Sequence, residues 1–285
     1  MKKILVTGKN GDLSRAVASY LNSQGYCAET VSLRGEEWKN GDYSSYDSVV
    51  HIAGIVPKSG ATTEDFYKIN SDLTRAFSAK VKADGVKHFV YISSMAVYGK
   101  EPSIDVKKGL VTADTPCEPT SDYGKSKLLA EKYLQDIEDE NFAVARIRVP
   151  SIYGKGKTEY LEQYKHLNEK FKKIPEAFKD RYKSVIYIDN LCALIYLTVT
   201  EKAKGVICPD DGQYSAYDIC RALSPQKKTS RLMGLGLEIL LKKNISIKNY
   251  YGAIFYDKNL TEIYEGKYRI QTLEKAISEI IAKER

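Results

Sequence analysis

Tyr123-Gly124-Lys125-Ser126-Lys127 is the segment of this chain best suited to chemistry, and a serine pair, Ser93-Ser94, precedes it. On a helix, positions four apart share a face, so the spacing sets a phenol beside an ammonium over one pocket. The ammonium favours the phenolate, which lets the tyrosine exchange a proton below its free pKa of about 10. A serine hydroxyl at the end of a neighbouring strand can hold a substrate oxygen against that phenol. The two serines alternate across the strand, so one of them faces the site, and Ser94 is the candidate. This set interconverts a carbonyl and an alcohol, and it points to hydride transfer. Alone, Tyr-x-x-x-Lys also fits any surface helix in a chain with 22 tyrosines. Its context carries the reading.

The context begins at the first residues. Thr7-Gly8-Lys9-Asn10-Gly11-Asp12-Leu13-Ser14 follows an apolar run and opens a helical pattern. Glycines there let backbone amides approach a pyrophosphate, and the helix N-terminus favours negative charge. A lone Gly-x-x-Gly is a weak signal; its place after an N-terminal strand makes it a dinucleotide site. Ser14 replaces the third glycine and still allows close packing. The end of the second strand bears on cofactor choice. An acid there would bind ribose hydroxyls, but the chain has Ser32, Leu33 and Arg34, and Glu36 and Glu37 come after a glycine. Arg34 can pair with a 2′-phosphate, so NADP(H) is favoured and NAD(H) stays open. Arg34 as a plain solvated loop residue is the competing reading.

The elements that must position these groups follow in rhythm. Strands are expected at 3–7, 28–33, 48–52, 88–92 and 143–149. Helices are expected from Leu13, Val17, Tyr20 and Leu21; from Phe66, Ile69, Leu73, Phe77 and Val81; and around Tyr123 with Ala130, Tyr133 and Ile137. Alternating strands and helices argue an α/β fold, a Rossmann-type doubly wound parallel sheet. Residues 1–154 form the expected dinucleotide-binding domain. Residues 155–285 form a smaller, mainly substrate-binding region, with 183–208 returning strands to the sheet. The apolar segment Leu232–Ile247, with Gly234, Gly236 and Lys242-Lys243, reads as a core or substrate-lid helix, with an interface or membrane-surface helix as the alternative.

Composition sets the bounds. The chain has 285 residues, 43% hydrophobic and 28% charged, which suits a folded core and not a disordered chain. No run approaches the roughly 18 apolar residues of a bilayer span, and no signal peptide opens the chain, so a cytoplasmic protein without stable membrane insertion is expected. Cys27, Cys117, Cys192, Cys208 and Cys220 are scattered without metal-ligand spacing. Reduced thiols and no metal are expected. The net charge of +7 comes from dispersed lysines, so no nucleic-acid partner is expected; a phosphate-bearing small substrate accounts for it equally well.

Together these residues resemble the extended short-chain dehydrogenase/reductase family, or NAD-dependent epimerase/dehydratase family, which acts on nucleotide-linked sugars. The matching pieces are Thr7–Gly11, Gly41-Asp42, Asp47–Gly54, Asn70, Tyr91–Gly99, Tyr123 with Lys127, Arg148–Gly154 and Tyr187–Leu191, in the family's order over about the first two-thirds of the chain. More narrowly, the chain looks like short members of bacterial capsule and O-antigen pathways. The resemblance implies that Asp42 faces the adenine with Tyr43 beside it. Ala53, Gly54 and Pro150 would line the cofactor cleft, and Asn70 would support it. Ser94 and Tyr123 would touch the sugar's C4 oxygen with Met95 alongside, and Lys127 would also hold the nicotinamide ribose. Lys183 would take the arginine's place against the substrate diphosphate; it keeps the charge and loses the bidentate fork. Dehydratases of the family carry Asp-Glu where this chain has Met95-Ala96, so dehydration is not expected. A reductase of UDP-4-keto-6-deoxy-N-acetylhexosamines is favoured over a UDP-sugar 4-epimerase with bound NAD. A homodimer is expected. A non-catalytic NADP-sensing or RNA-binding relative is the reading from another class, and the retained Tyr123 and Lys127 argue against it.

Overall fold

The computed structural model describes residues 2–57, 60–156, 159–241 and 245–283. Its centre is a six-stranded parallel sheet. The spatial order is Gly205–Ile207, Ala143–Val149, His88–Ser94, Ser48–His51, Lys3–Thr7, Cys27–Val31. The order reverses between the first strand and the third, Ile4 pairing Ser48 on one side and Ala28 on the other. In such sheets the crevice beyond the strand ends at the reversal is where ligands bind. Thr7-Gly8 and Ala53-Gly54 leave the sheet at that point.

The sheet is covered on both faces, which is why its strands read as unbroken apolar runs. Alternate residues serve two cores. Ile4, Val6, Val50, Val90 and Ile92 pack with Val17, Leu21, Leu191 and Leu194 from the Asp12–Ser23 and Ile188–Thr200 helices. Leu5, Val49, Phe89 and Tyr91 pack with Phe77, Val81, Ala130 and Leu134 from the Leu73–Ala83 and Asp122–Ile137 helices. The Rossmann-type sheet expected from the sequence is therefore present.

Three expectations need correction. The helical run from Thr63 to Ala83 is not uniform: Tyr67–Asp72 is π-helical. The wider turn shifts the inward face, so Asn70 and Ser71 are buried where the spacing placed Ile69. The second correction concerns the returning strands. Gly205–Ile207 joins the main sheet beside Ala145–Ile147. Lys183–Tyr187 does not; it lies between Ser151–Tyr153 and Gln213–Tyr214 in a separate three-stranded sheet. Pro150 has no N–H to continue the ladder, so the chain leaves the main sheet after Val149 and starts the smaller one. Third, the apolar segment forms two helices, Arg231–Leu241 and Ile245–Tyr251. Leu232, Leu235 and Ile239 stand exposed, so it is not a core helix. Lys242-Lys243 lies outside the described residues.

Candidate active site

The Asp122–Ile137 helix is started by Ser121, whose Oγ accepts from Gly124 N at 3.1 Å. Gly124 is needed for a close approach. A Cβ there would sit 2.6 Å from the Ala96 carbonyl oxygen. The helix thus presses its first turn on the Met95–Tyr98 turn that ends the His88–Ser94 strand. That contact delivers Tyr123 to Ser94. Ser94 Oγ accepts from Ala96 N at 3.2 Å, and its hydroxyl is left to bond the Tyr123 phenol. Ser93 turns the other way and donates to Glu131 Oε1 at 2.5 Å. Strand alternation therefore selects Ser94 as the serine facing Tyr123.

Lys127 lies one turn on from Tyr123 and is buried, 5% exposed. Its Nζ donates to Ile92 O at 2.9 Å and sits 4.8 Å from the centre of the Tyr91 ring. Burial pushes its pKa down to about 8, with Glu131 opposing. Tyr123 does not behave as the spacing predicts. Burial raises its pKa, and the hydrogen bond from Ser94 only partly offsets this. The ammonium is held by the Ile92 carbonyl instead of being spent on the phenol. The phenol is thus protonated at neutral pH.

A directed chain of buried hydrogen bonds ties the Gly loop to this helix. Thr7 Oγ1 accepts from Ile52 N at 3.0 Å and Ala53 N at 2.9 Å. Its own proton therefore goes to His51 Nδ1, 3.1 Å away. His51 then carries its proton on Nε2 and donates to Thr74 Oγ1 at 3.0 Å, and Thr74 donates to Asn70 O at 2.8 Å. Neutral His51 agrees with a pKa pushed to about 3 by burial and by Lys127. The Asn70 amide accepts from Ile55 N at 2.8 Å and donates to Ser126 Oγ at 3.1 Å, and Ser126 donates to Tyr123 O at 2.8 Å. The π-helical turn supplies Asn70, so a local irregularity fixes the loop at residue 55 to the Asp122–Ile137 helix.

Whether these residues fit a dinucleotide is tested by the cradle itself. Gly8 has φ +92°, and a Cβ on it would lie 2.8 Å from Ser14 Oγ; only glycine keeps that floor open. The helix behind it begins at Gly11 with no side-chain cap, so its first N–H groups are free for a phosphate. Asn10 and Asp12 are exposed there, while the Leu13 side chain is core and offers only its backbone. A Cβ on Gly54 would lie 2.9 Å from Asn70 Oδ1 and 3.5 Å from Lys127 Nζ. Lys127 has three N–H donors, and the bond to Ile92 O uses one of them. The residues fit the group.

Other expected cofactor residues fall differently. Arg34 is exposed, and its N–H bonds Ser32 Oγ at 3.2 Å. Asp42 is exposed and accepts from Ser44 N at 2.9 Å. Tyr43 is corrected: its ring is buried against Phe77, its OH donates to Trp38 O at 2.9 Å, and its N–H goes to Asp84. An aromatic residue after Asp42 serves the core because the neighbouring side chains there leave it no open face. Ala53 is partly exposed, and Pro150 is buried where the chain leaves the sheet. Met95 is buried with Val97, Tyr98 and Cys208. Lys183 is buried on the small sheet, its Nζ donating to Asn249 O at 2.9 Å, with its pKa pushed down to about 8 by burial. No contact ties it to the catalytic helix among the described residues.

The sequence reading gave no role to Glu131. It lies four residues beyond Lys127, so the same spacing argument would have found it. Arg148 grips it with Nε at 3.1 Å and an η-nitrogen at 2.6 Å, and stacks 4.8 Å from the Tyr98 ring. This buried bidentate pair anchors the Asp122–Ile137 helix to the Ala143–Val149 strand. Among the described residues no group of three or more His, Cys, Asp or Glu is placed to hold a metal, and the five cysteines are free thiols.

Comparison with known proteins bears on this site. A UDP-glucose 4-epimerase of Neisseria meningitidis serogroup C is 29% identical over 181 residues, 52% of this chain and 52% of that protein. The first curated relatives are matched over still less of their length, 25% for that of Azospirillum brasilense. A UDP-N-acetylglucosamine 4-epimerase from Bacillus cereus superposes over 99% of both chains with TM-score 0.75 at 16% identity. A dTDP-4-dehydrorhamnose reductase from Bacillus anthracis, in complex with NADP, covers 99% of this chain and is covered over 100%, with TM-score 0.68 at 16% identity. At such identities these likenesses show the fold. The sequence profile of the NAD dependent epimerase/dehydratase family matches residues 4–206, spanning the Gly loop, Ser94, Tyr123 and Lys127, so the chain belongs to that family.

Proposed function

We propose that this protein is an NAD(P)-dependent oxidoreductase acting on a nucleotide-linked sugar, and that it reduces a UDP-4-keto-6-deoxy-N-acetylhexosamine at C4 for surface polysaccharide synthesis. The observation that carries the reading is the Ser94–Tyr123–Lys127 arrangement beside the crevice at the sheet's reversal point. When bound, the nicotinamide supplies hydride transfer. Ser94 orients the sugar's C4 oxygen and stabilises charge on it. Tyr123, kept protonated by burial, donates its proton to that oxygen as charge develops, a contribution of typically ~10²–10⁴-fold. Lys127 offers donors to the ribose and fixes the cofactor's approach. Lys183 meets the diphosphate in this reading. Its buried ammonium must then leave the Asn249 carbonyl or share it.

Two features favour reduction over the alternatives. Met95-Ala96 follows Ser94 where a dehydratase needs an acid–base pair. Exposed Arg34, with no acid at the end of the second strand, suits the 2′-phosphate of an exchangeable NADPH. The likeness to 4-epimerases in sequence and fold supports the second reading, a UDP-sugar 4-epimerase that keeps NAD bound. Denaturing the purified protein and identifying the released nucleotide separates the two. Release of NADP or of no nucleotide, with stoichiometric NADPH consumption on a UDP-4-keto-6-deoxy-N-acetylhexosamine, is the expected result. Tightly held NAD with interconversion of UDP-sugar C4 epimers would select the epimerase. Inactivity in both assays would overturn both.

A further inference from the structure

The Arg231–Leu241 helix turns several large apolar side chains outward. Its inward side holds Gly234, where a Cβ would sit 2.3 Å from Glu176 O, and Glu238, whose Oε1 accepts from Phe178 N at 2.7 Å. Leu237 is the apolar residue that packs against the large core. Its outward side holds Leu232, Leu235 and Ile239, spaced three and four apart on one face and 81%, 51% and 76% exposed. Gly236 lies on the same face, and a side chain there would meet nothing within 4 Å. These three are half of the six large exposed hydrophobic residues of the described chain, gathered on one helix. A soluble surface helix keeps its apolar stripe inward. Here Leu237 and a carboxylate lie inward, and two leucines and an isoleucine lie outward.

Exposed cations gather at the N-terminal end of this helix. The helix follows directly on Thr229–Ser230, which pairs in parallel with Ile174–Pro175. That register brings Lys173 and Lys228 to the same end of the two strands, with Lys172 before them and Arg231 opening the helix; all four are exposed. Of the nearby acids, Glu176 is paired with Lys179 and Glu238 is turned inward to Phe178 N. An apolar helix face with exposed cations at its N-terminal end matches an anionic lipid surface, where the apolar side sinks to the acyl boundary and the lysines meet headgroups. No described helix is long and apolar enough to cross a membrane, so the contact lies in the surface plane.

We propose that the Arg231–Leu241 helix docks this protein on an anionic membrane surface through Leu232, Leu235 and Ile239. The proposal rests on this surface and not on the reaction assigned above. Flotation with phosphatidylcholine vesicles, with and without phosphatidylglycerol, tests it on the full chain. The wild-type protein should float with phosphatidylglycerol vesicles and lose binding as salt rises. The Leu232→Ser/Leu235→Ser/Ile239→Ser variant should bind ~tenfold more weakly or worse, with its folding intact because the face is exposed. A Lys172→Gln/Lys173→Gln/Lys228→Gln variant, which leaves the helix untouched, should lose the preference for the anionic vesicles. Failure of the wild type to bind either vesicle, or equal binding by the serine variant, would overturn the proposal. So would conversion of a wild-type dimer to monomer by the serine substitutions, which would assign the face to a second copy.

Discussion

Replacing Lys127 by methionine should make the protein inactive and more stable. The ammonium is buried, and its pKa falls from 10.5 to about 8. A shift of that size means the charged form is disfavoured in the fold by ~3 kcal/mol. Between about pH 8 and the unfolded value of 10.5 the unfolded chain binds more protons than the folded one. Stability of the wild type therefore rises with pH across that window, and the full penalty applies below it. Methionine fills the same unbranched volume without charge. It gives up the hydrogen bond to Ile92 O, a loss of ~1 kcal/mol. The expected net gain at pH 7 is ~2 kcal/mol. At pH 9.5 the wild-type penalty is only ~1 kcal/mol, so the advantage should vanish. Urea unfolding of both proteins at the two pH values, with equal m-values, measures the difference. Lys183 titrates in the same range but is common to both proteins and cancels. A methionine variant less stable than wild type at pH 7, or a difference that does not change with pH, would refute the reasoning.

Tyr123→Phe should lower turnover by ~10²–10⁴-fold while cofactor binding, followed by fluorescence titration, stays near wild type; near-normal turnover would remove Tyr123 from the chemistry. Ser94→Ala should lower turnover by less than loss of the phenol. Ser93→Ala should instead act on stability, by ~1 kcal/mol, because it removes one donor from the buried Glu131 carboxylate, which Arg148 still holds. The reverse pattern in paired kinetic and melting measurements would exchange the two serines. Arg34→Ala should weaken NADPH by about 1.5–3 kcal/mol and leave NADH nearly unchanged; equal loss for both would make Arg34 a structural residue.

The sequence alone carried the sheet and the helix that bears the reactive groups. Parallel strands buried on both faces are rich in apolar residues, and Lys3–Thr7, Ser48–His51, His88–Ser94 and Ala143–Val149 each have an apolar centre, with polar residues gathered mainly at their ends. The four-residue spacing of Tyr123 and Lys127 is local geometry, so it too was legible. What the tertiary structure decided is what depends on neighbours distant in sequence. The pKa of Tyr123 follows burial and Ser94, not the lysine one turn away, because the Ile92 carbonyl holds that lysine. The π-helical turn exchanges Ile69 for Asn70 on the inner face, a shift no periodicity announces. The neutral His51 and the direction of its bonds follow from two backbone N–H groups that converge on Thr7 only once the first and third strands pair. The 183–208 segment reads as returning strands to the main sheet, but the sheet that Lys183–Tyr187 joins depends on Pro150 turning the chain away and on Gln213–Tyr214 arriving beside it. Local spacing fixes which side chains share an element; only the packed chain fixes which charges are dry and which hydroxyls already have partners.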